Sequence, residues 1–445
     1  MQRVLPQVAT GDLHLLNATV PACLLARSTS GASDLVRTDL VIEGGRISSI
    51  SPAGSSSKAS ETPGLPRHDL DGGLVLPTLV DMHTHLDKGH ISPRRPNPDG
   101  TFAGALKTVG EDRIAAWTAE DVRARMDFAL RSAFVHGTSH IRTHIDSLPP
   151  QDEISWPVFC EVRDAWADRI TLQGSCLFGV DRLADFPEFL DSIADRVQAA
   201  GGVLGAVTYM MPGLDGLLDR IVLAAKTRGL DLDFHVDETK DPEARSFEAI
   251  ARAVLRNGFD GKVVCGHCCS LAQQPEDEAD RTMDLVAQAG IGVVSLPMCN
   301  MYLQDRQLGR TPRWRGVTLL HEMKARGIPV AVSSDNTRDP FYAYGDLDLI
   351  EVYTQATRIL QLDHPVGDWI SSVSTQPAEM IGVDAGTLKV GGAADLLLFT
   401  VRNWSELLSR PRAAREVLRK GISVTETLPD YRELDPLMIE NGARP

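Results

Sequence analysis

Gly72-Gly73-Leu74-Val75-Leu76-Pro77-Thr78-Leu79-Val80-Asp81-Met82-His83-Thr84-His85 is the stretch on which the fold of this chain turns. Its apolar run, 74–82, is short, partly β-branched and opened by two glycines, the pattern of a buried strand. Side chains two apart on a strand share a face, so the imidazoles of His83 and His85 can converge at the strand's carboxyl end. A His-x-His pair alone is weak evidence for a metal site. Three more strand-like runs, however, close on a ligand-type residue: His235, His267 and Asp335. Strand ends loaded in this way are hard to explain as histidines that merely fill a core.

Downstream of residue 74, short apolar runs alternate with longer segments of helical period. The runs are 74–82, 138–145, 170–178, 203–210, 230–236, 263–268, 291–297 and 329–335; helices are expected over 119–136, 188–200, 216–228, 244–257 and 276–290. Alternating strand and helix argues for a parallel sheet, and eight strands argue for a closed (β/α)8 TIM barrel over 74–384. An open doubly wound sheet is the alternative, but no Gly-x-Gly-x-x-Gly follows a first strand. Before residue 74, Leu13–Leu16, Asp39–Glu43 and Arg46–Ile50 read as short strands, the last two joined at Gly44-Gly45. Ser28–Ser33 and Ala53–Pro63 read as polar loops. After residue 385, Gly386–Phe399 and Val417–Val424 return to strand character. The two ends, 1–73 and 385–445, are therefore expected to build one small β-sandwich domain.

The chain has 445 residues, 43% hydrophobic and 24% charged, which suits a large catalytic domain with a smaller companion. A net charge of −15 argues against a nucleic-acid-binding surface. No stretch approaches the ~18 consecutive apolar residues of a membrane span, and residues 1–6 lack the apolar core of a signal peptide. A cytoplasmic location is expected, with no membrane partner. Seven cysteines, an odd number mostly placed in expected strands or helices, fit reduced buried thiols. Cys268-Cys269 lacks a second cysteine pair at finger spacing and is not read as structural zinc.

In a parallel barrel all strand carboxyl ends open on one face. The candidate ligands His83, His85, His235, His267 and Asp335 fall on the ends of strands 1, 5, 6 and 8. Imidazoles with a carboxylate suit one divalent ion, Zn²⁺ or Fe²⁺, and do not choose between them. Such an ion lowers the pKa of bound water to about 7. Glu238, three residues past His235, is placed to move a proton from that water to a leaving nitrogen.

These residues carry a resemblance to the amidohydrolase superfamily, and within it to the cytosine deaminase-like group. The matching motifs are His83-Thr84-His85-Leu86-Asp87, Arg142-Thr143-His144-Ile145-Asp146, His235-Val236-Asp237-Glu238, Gly266-His267 and Ser334-Asp335-Asn336 with Asp339-Pro340-Phe341-Tyr342. The stretch 297–318 is similar too, and the likeness covers most of the chain. It implies that His83, His85, His235 and Asp335 hold one divalent ion. It further implies that Glu238 shuttles protons, that His267 hydrogen-bonds the attacking water or the tetrahedral intermediate, and that Asp335 accepts a proton from that water. Binuclear members use a carbamylated lysine on strand 4; the run 203–210 has none, which favours a single ion.

The resemblance breaks where a substrate would be read. Gly179 stands where cytosine deaminases carry a glutamine that reads the ring's amide edge. Asn336 replaces their second aspartate, and Phe341 their tryptophan. A site that hydrogen-bonds its substrate discriminates by roughly 10⁴, so these changes point away from cytosine, towards a pterin or another fused ring. Lys88, Gly179, Asn300, Asn336 and Phe341 are the expected substrate-binding residues, with Tyr209–Met211, Met301 and Gln304 as further wall candidates. For His144 a supporting role and a ligand role stand equally open. The leading expectation is a metal-dependent hydrolytic deaminase of an aminated N-heterocycle, assembled as a homo-oligomer. The alternative is a hydrolase of another C–N bond, such as an N-alkylamino heterocycle or a cyclic amide. A non-catalytic scaffold on an inherited barrel is the third reading, disfavoured because Glu238 and every ligand type are present.

Overall fold

A computed structural model describes residues 8–26, 34–55 and 64–438. The described residues fall into two compact units. One comprises those up to Val80 with Ala133–Ser139 and Asp348–Leu428; the other comprises Asp81–Ser132, His140–Leu347 and those from Pro429 on. Ser28–Ser33 and most of Ala53–Pro63, expected as loops, lie outside the described residues.

The first unit opens with β1 (Leu13–Pro21), β2 (Leu35–Glu43), β3 (Arg46–Pro52) and β4 (Arg67–Asp69), ordered β3-β2-β1-β4 in one sheet. Gly44 and Gly45 turn β2 into β3 with φ of 57° and 76°, a conformation that costs glycine nothing. A Cβ at Gly45 would also lie 2.8 Å from the Lys420 carbonyl oxygen. The run 74–82, expected as a single strand, is two: β5 (Val75–Pro77) and β6 (Leu79–Thr84). Proline has no N–H with which to continue a ladder, and the Thr78 amide donates to Asp395 O instead, at 3.0 Å.

The barrel strands follow in order: β6, β7 (Thr138–Asp146), β8 (Thr171–Leu177), β9 (Leu204–Thr208), β10 (Leu232–Val236), β11 (Val263–His267), β12 (Gly292–Ser295) and β13 (Val330–Val332). β6-β7-β8 and β9 to β13 form two sheets. Parallel bridges Ser175↔Val203 and Thr84↔Asp335 join them at both seams, giving an eight-stranded TIM-barrel-like ring. Helices stand between the strands close to the expected segments. Ser246–Arg256 shows why: Phe247, Ile250, Ala251 and Val254 recur at helical spacing and are all buried. β12 stops at Ser295, short of the expected 297, because Pro297 opens the helix Pro297–Leu303. β13 stops at Val332, and Asp335 lies beyond it in the left-handed region. No helix among the described residues is long and apolar enough to cross a membrane.

The chain returns to the first unit as β14 (Leu396–Phe399), β15 (Arg415–Arg419) and β16 (Ile422–Ser423), which with β5 form a sheet ordered β16-β15-β14-β5. The two sheets share one hydrophobic cluster that includes Leu13, Leu15, Leu40 and Ile42 from one and Val75, Leu396, Leu398 and Leu418 from the other.

Asp348 ties this unit together. Its carboxylate caps the helix Leu349–Leu360 through Ile350 N at 3.0 Å and pairs with Arg415 Nη1 at 2.8 Å, with His136 Nδ1 at 3.6 Å. Burial alone would push this carboxyl up. The Arg415 charge and hydrogen bonds, aided by His136, outweigh that and hold it below its usual range. A carboxyl whose pKa is depressed by folding stabilises the protein above its unfolded value, and that contribution disappears as pH falls through the folded one. Asp348→Asn is therefore expected to cost about 3 kcal/mol in urea unfolding at pH 7, because Arg415 is left half-satisfied. The gap from wild type should stay level from about pH 8 to pH 5 and narrow below about pH 4. A gap that widens in acid would contradict this.

Candidate active site

The parallel ring carries the carboxyl ends of β6, β10, β11 and β13 to one face. Asp335 is fixed to the first barrel strand by its own backbone, its N–H donating to His83 O at 2.9 Å. His235 Nε2 lies 3.2 Å from both His83 Nε2 and His85 Nε2. Asp335 Oδ1 lies 3.2 Å from His85 Nε2 and 3.7 Å from His83 Nε2. All four residues are buried.

The cluster is electrostatically incomplete without a cation. Burial pushes all three imidazoles well below their usual pKa, so they are neutral and each has a lone pair to give. Burial pushes Asp335 up to about 7, against a weak opposing contact from the Cys299 thiol, and neither of its oxygens has an N–H or O–H donor. Four ligand atoms around an ion at about 2.1 Å would lie about 3.4 Å from one another in a tetrahedron. The observed separations of 3.2–3.7 Å bracket that value. The donor set thus fits one divalent ion. β9 carries no lysine to bridge a second.

Glu238 and His267 face the cluster and share one partner. Asn300 Nδ2 is 3.1 Å from Glu238 Oε1 and 2.9 Å from His267 Nδ1. Donation from the amide to Nδ1 leaves the proton of neutral His267 on Nε2, which is buried and has no other partner. Burial pushes the His267 pKa down to about 3, so the ring is neutral. Burial, then the Asp335 charge, raises Glu238 well above the carboxylate range. Asp237, His267 and Asp335 all have positive φ, at 46°, 69° and 63°. Left-handed backbone at a non-glycine residue costs about 1–3 kcal/mol and concentrates at functional sites.

The amidohydrolase family model matches residues 189–427. A pterin deaminase from Rhizobium rhizogenes (strain K84 / ATCC BAA-868) is 57% identical over 426 residues, 95% of this chain and 96% of that protein. This chain belongs to the amidohydrolase family. An N-isopropylammelide isopropyl amidohydrolase from Pseudomonas sp. (strain ADP) is 25% identical over 343 residues, 74% of this chain and 80% of that one. The fold of 5-methylcytosine deaminase from Klebsiella pneumoniae superposes with a TM-score of 0.80 at 22% identity, over 94% of this chain and 98% of that one.

Beside the cluster this amidohydrolase has a cavity of about 830 Å³, lined among others by Lys88, Phe102, Phe178, Tyr209, Asn336 and Phe341. Lys88 Nζ pairs with Asp146 Oδ1 at 2.9 Å and sits 5.6 Å from the Phe341 ring centre. Burial opposes the lysine's charge, but Asp146 and Asp87 outweigh it. Arg113 holds the other oxygen of Asp146 at 3.1 Å.

Three expected substrate-binding residues have particular surroundings. Gly179 lines the cavity, and a Cβ there would lie 2.4 Å from Asp181 Oδ1, a carboxylate that sequence reasoning passed over. Asn300, expected at substrate, is fully buried, does not line the cavity, and turns its Nδ2 to Glu238 and His267. Asn336 lines the cavity, yet its Nδ2 is committed to Asp339 Oδ2 at 2.6 Å. Of the further wall candidates, Tyr209 and Gln304 line the cavity, whereas Met210, Met211 and Met301 do not. Arg142 and His144 lie beneath the cluster, His144 against His83 and Arg142 against Asp233.

Asn300→Ala is expected to lower kcat by about 10- to 100-fold and leave KM within about twofold, since the amide orients groups of the chemical step. A rise in KM at unchanged kcat would return Asn300 to substrate binding.

Proposed function

We propose that a pterin is the substrate of this amidohydrolase-family deaminase, which removes the amino group on the pyrimidine half of the ring with one divalent ion, Zn²⁺ or Fe²⁺. The single observation that carries the substrate is the 57% identity with a pterin deaminase along 95% of the chain. The cavity of about 830 Å³ accommodates a fused ring.

His83, His85, His235 and Asp335 hold the ion in this reading. When bound, the ion supplies hydroxide at neutral pH by lowering the pKa of water to about 7. The remaining work falls to side chains. Asp335 would accept the proton that the attacking water gives up. His267 donates from Nε2 to the oxygen that becomes anionic as the ring carbon turns tetrahedral. Glu238, kept protonatable by burial and oriented by Asn300, protonates a ring nitrogen and regains its proton from the next attacking water, while the proton taken up by Asp335 passes to the departing amine. The C–N bond breaks as the new C–O bond is retained, and ammonia leaves. Lys88 donates to the ring carbonyl, and Phe341 packs on the ring. Gly179 lets the Asp181 carboxylate reach the cavity, where it accepts from ring N–H groups; Asn336 holds the Asp339 loop at the cavity wall.

The same reading assigns catalysis to a barrel domain over 74–384 and treats 1–73 with 385–445 as a small β-sandwich domain, supported by the cluster their sheets share. Cytoplasmic location and a homo-oligomeric state belong to it too; among the described residues no cysteine pair forms a disulfide.

The test is ammonia release from metal-loaded protein across pterins, aminopurines, aminopyrimidines and N-alkylaminotriazines. Pterins should turn over fastest, and Glu238→Gln should lose at least about 10²-fold in kcat while retaining its ion. Release of an alkylamine, or of no nitrogen at all, would overturn the assignment in favour of another C–N bond.

A further inference from the structure

Beneath the ligand cluster lies a second group of buried polar residues to which the chemistry above gives no part. His144 Nε2 is 3.1 Å from His83 Nδ1 and 3.8 Å from Asp233 Oδ1. Asp233 Oδ2 accepts from Arg142 Nη1 at 2.8 Å. The rest of that guanidinium is spent on Gln173 Oε1, at 3.1 Å from Nε and 3.0 Å from Nη2. His83, His144 and Asp233 are fully buried. Strand periodicity accounts for the layer: Arg142 and His144 are two apart on β7, and Asp233 and His235 two apart on β10, so each pair shares a face.

We propose that His144, backed by Asp233 and Arg142, is a positioning residue that fixes the ring and the proton of His83 and so sets how tightly the site holds its ion. This rests on the reading of His83 as a ligand. With its Nε2 lone pair turned to the cluster, neutral His83 carries its proton on Nδ1. Nδ1–H then donates to His144 Nε2, and the Asp233–Arg142 pair packs behind that ring. Outer partners of this kind orient a ligating imidazole and raise its basicity. Packing enforces the same ring position: a Cβ on Gly266 would lie 2.9 Å from His83 Cε1.

His83, His144 and Asp233 also lie close enough together to be considered as a second cation site. The chemistry opposes it. The Arg142 guanidinium already neutralises the Asp233 carboxylate through Oδ2, and His83 would have to give up its remaining proton to bridge two ions.

The test compares wild type, His144→Phe and His144→Gln as metal-loaded full-length protein. The readouts are zinc stoichiometry by mass spectrometry, zinc affinity by competition with a chromogenic chelator, and folding by circular dichroism. Wild type is expected to hold one zinc per chain. Phe keeps ring bulk without an acceptor and should weaken zinc binding about 10- to 100-fold, whereas Gln, which can accept, should recover most of it. In zinc-saturated protein KM should not move. If His144→Phe does not fold, Gly266→Ala crowds the same ring and should weaken zinc in the same way. Unchanged affinity in folded His144→Phe, or in Gly266→Ala where that replaces it, overturns the proposal; so do two zinc ions per wild-type chain. Wild type with no zinc overturns the ligand reading itself, before any variant is compared.

Discussion

A carboxylate with both oxygens buried and no N–H or O–H donor cannot be left alone at the heart of a barrel. Asp335 is such a group, and its neighbours are neutral imidazoles that offer lone pairs rather than protons. An isolated buried charge costs several kcal/mol even after the protein relaxes. A divalent cation removes the conflict, since it satisfies Asp335 and three histidines at once. The seam that brings Asp335 to His83, a parallel backbone bridge between the first and last barrel strands, is thus where closing the fold and assembling the site become one event.

That dependence organises the shells around the cluster. Asp81 on β6 accepts from Ser334 N and Oγ, at 3.1 and 2.5 Å, and so secures the turn that presents Asp335. Asp237 accepts from Ser246 N, Ser246 Oγ and Phe247 N, and so anchors the loop that carries Glu238 to the next helix. Left-handed backbone at Asp237 and Asp335 is held in place by these bonds, so the strain there is carried by a frame outside the reacting atoms. The reactive groups can then be few.

Much of this is legible in the sequence, for reasons that differ by residue. A parallel barrel maps strand ends onto one face, so His83, His85, His235 and Asp335 converge once eight strands are counted. Period-2 spacing also makes Arg142 and His144 share a face, but spacing cannot say which face or name Asp233 as their partner; that takes the register of β7 against strands far away in the chain. The run 74–82 hides its division because both halves are equally apolar, and only the missing N–H of Pro77 hints at the break. Asp181 escapes because a glycine two residues earlier reads as empty space, whereas space next to a flexible turn is filled by whatever lies nearest. Asn300 reads as leaving a strand, whereas the helix opened by Pro297 carries it and turns its Nδ2 to Glu238 and His267.

The central claim is that three histidines and one aspartate at the strand ends hold a single catalytic ion. The most direct measurement is anomalous diffraction from crystals of the metal-loaded protein, collected on both sides of the metal's absorption edge. The account predicts one strong peak per chain, about 2.1 Å from the Nε2 atoms of His83, His85 and His235 and from one Asp335 oxygen. A peak elsewhere, or none between those four residues in protein that carries its metal, would contradict it.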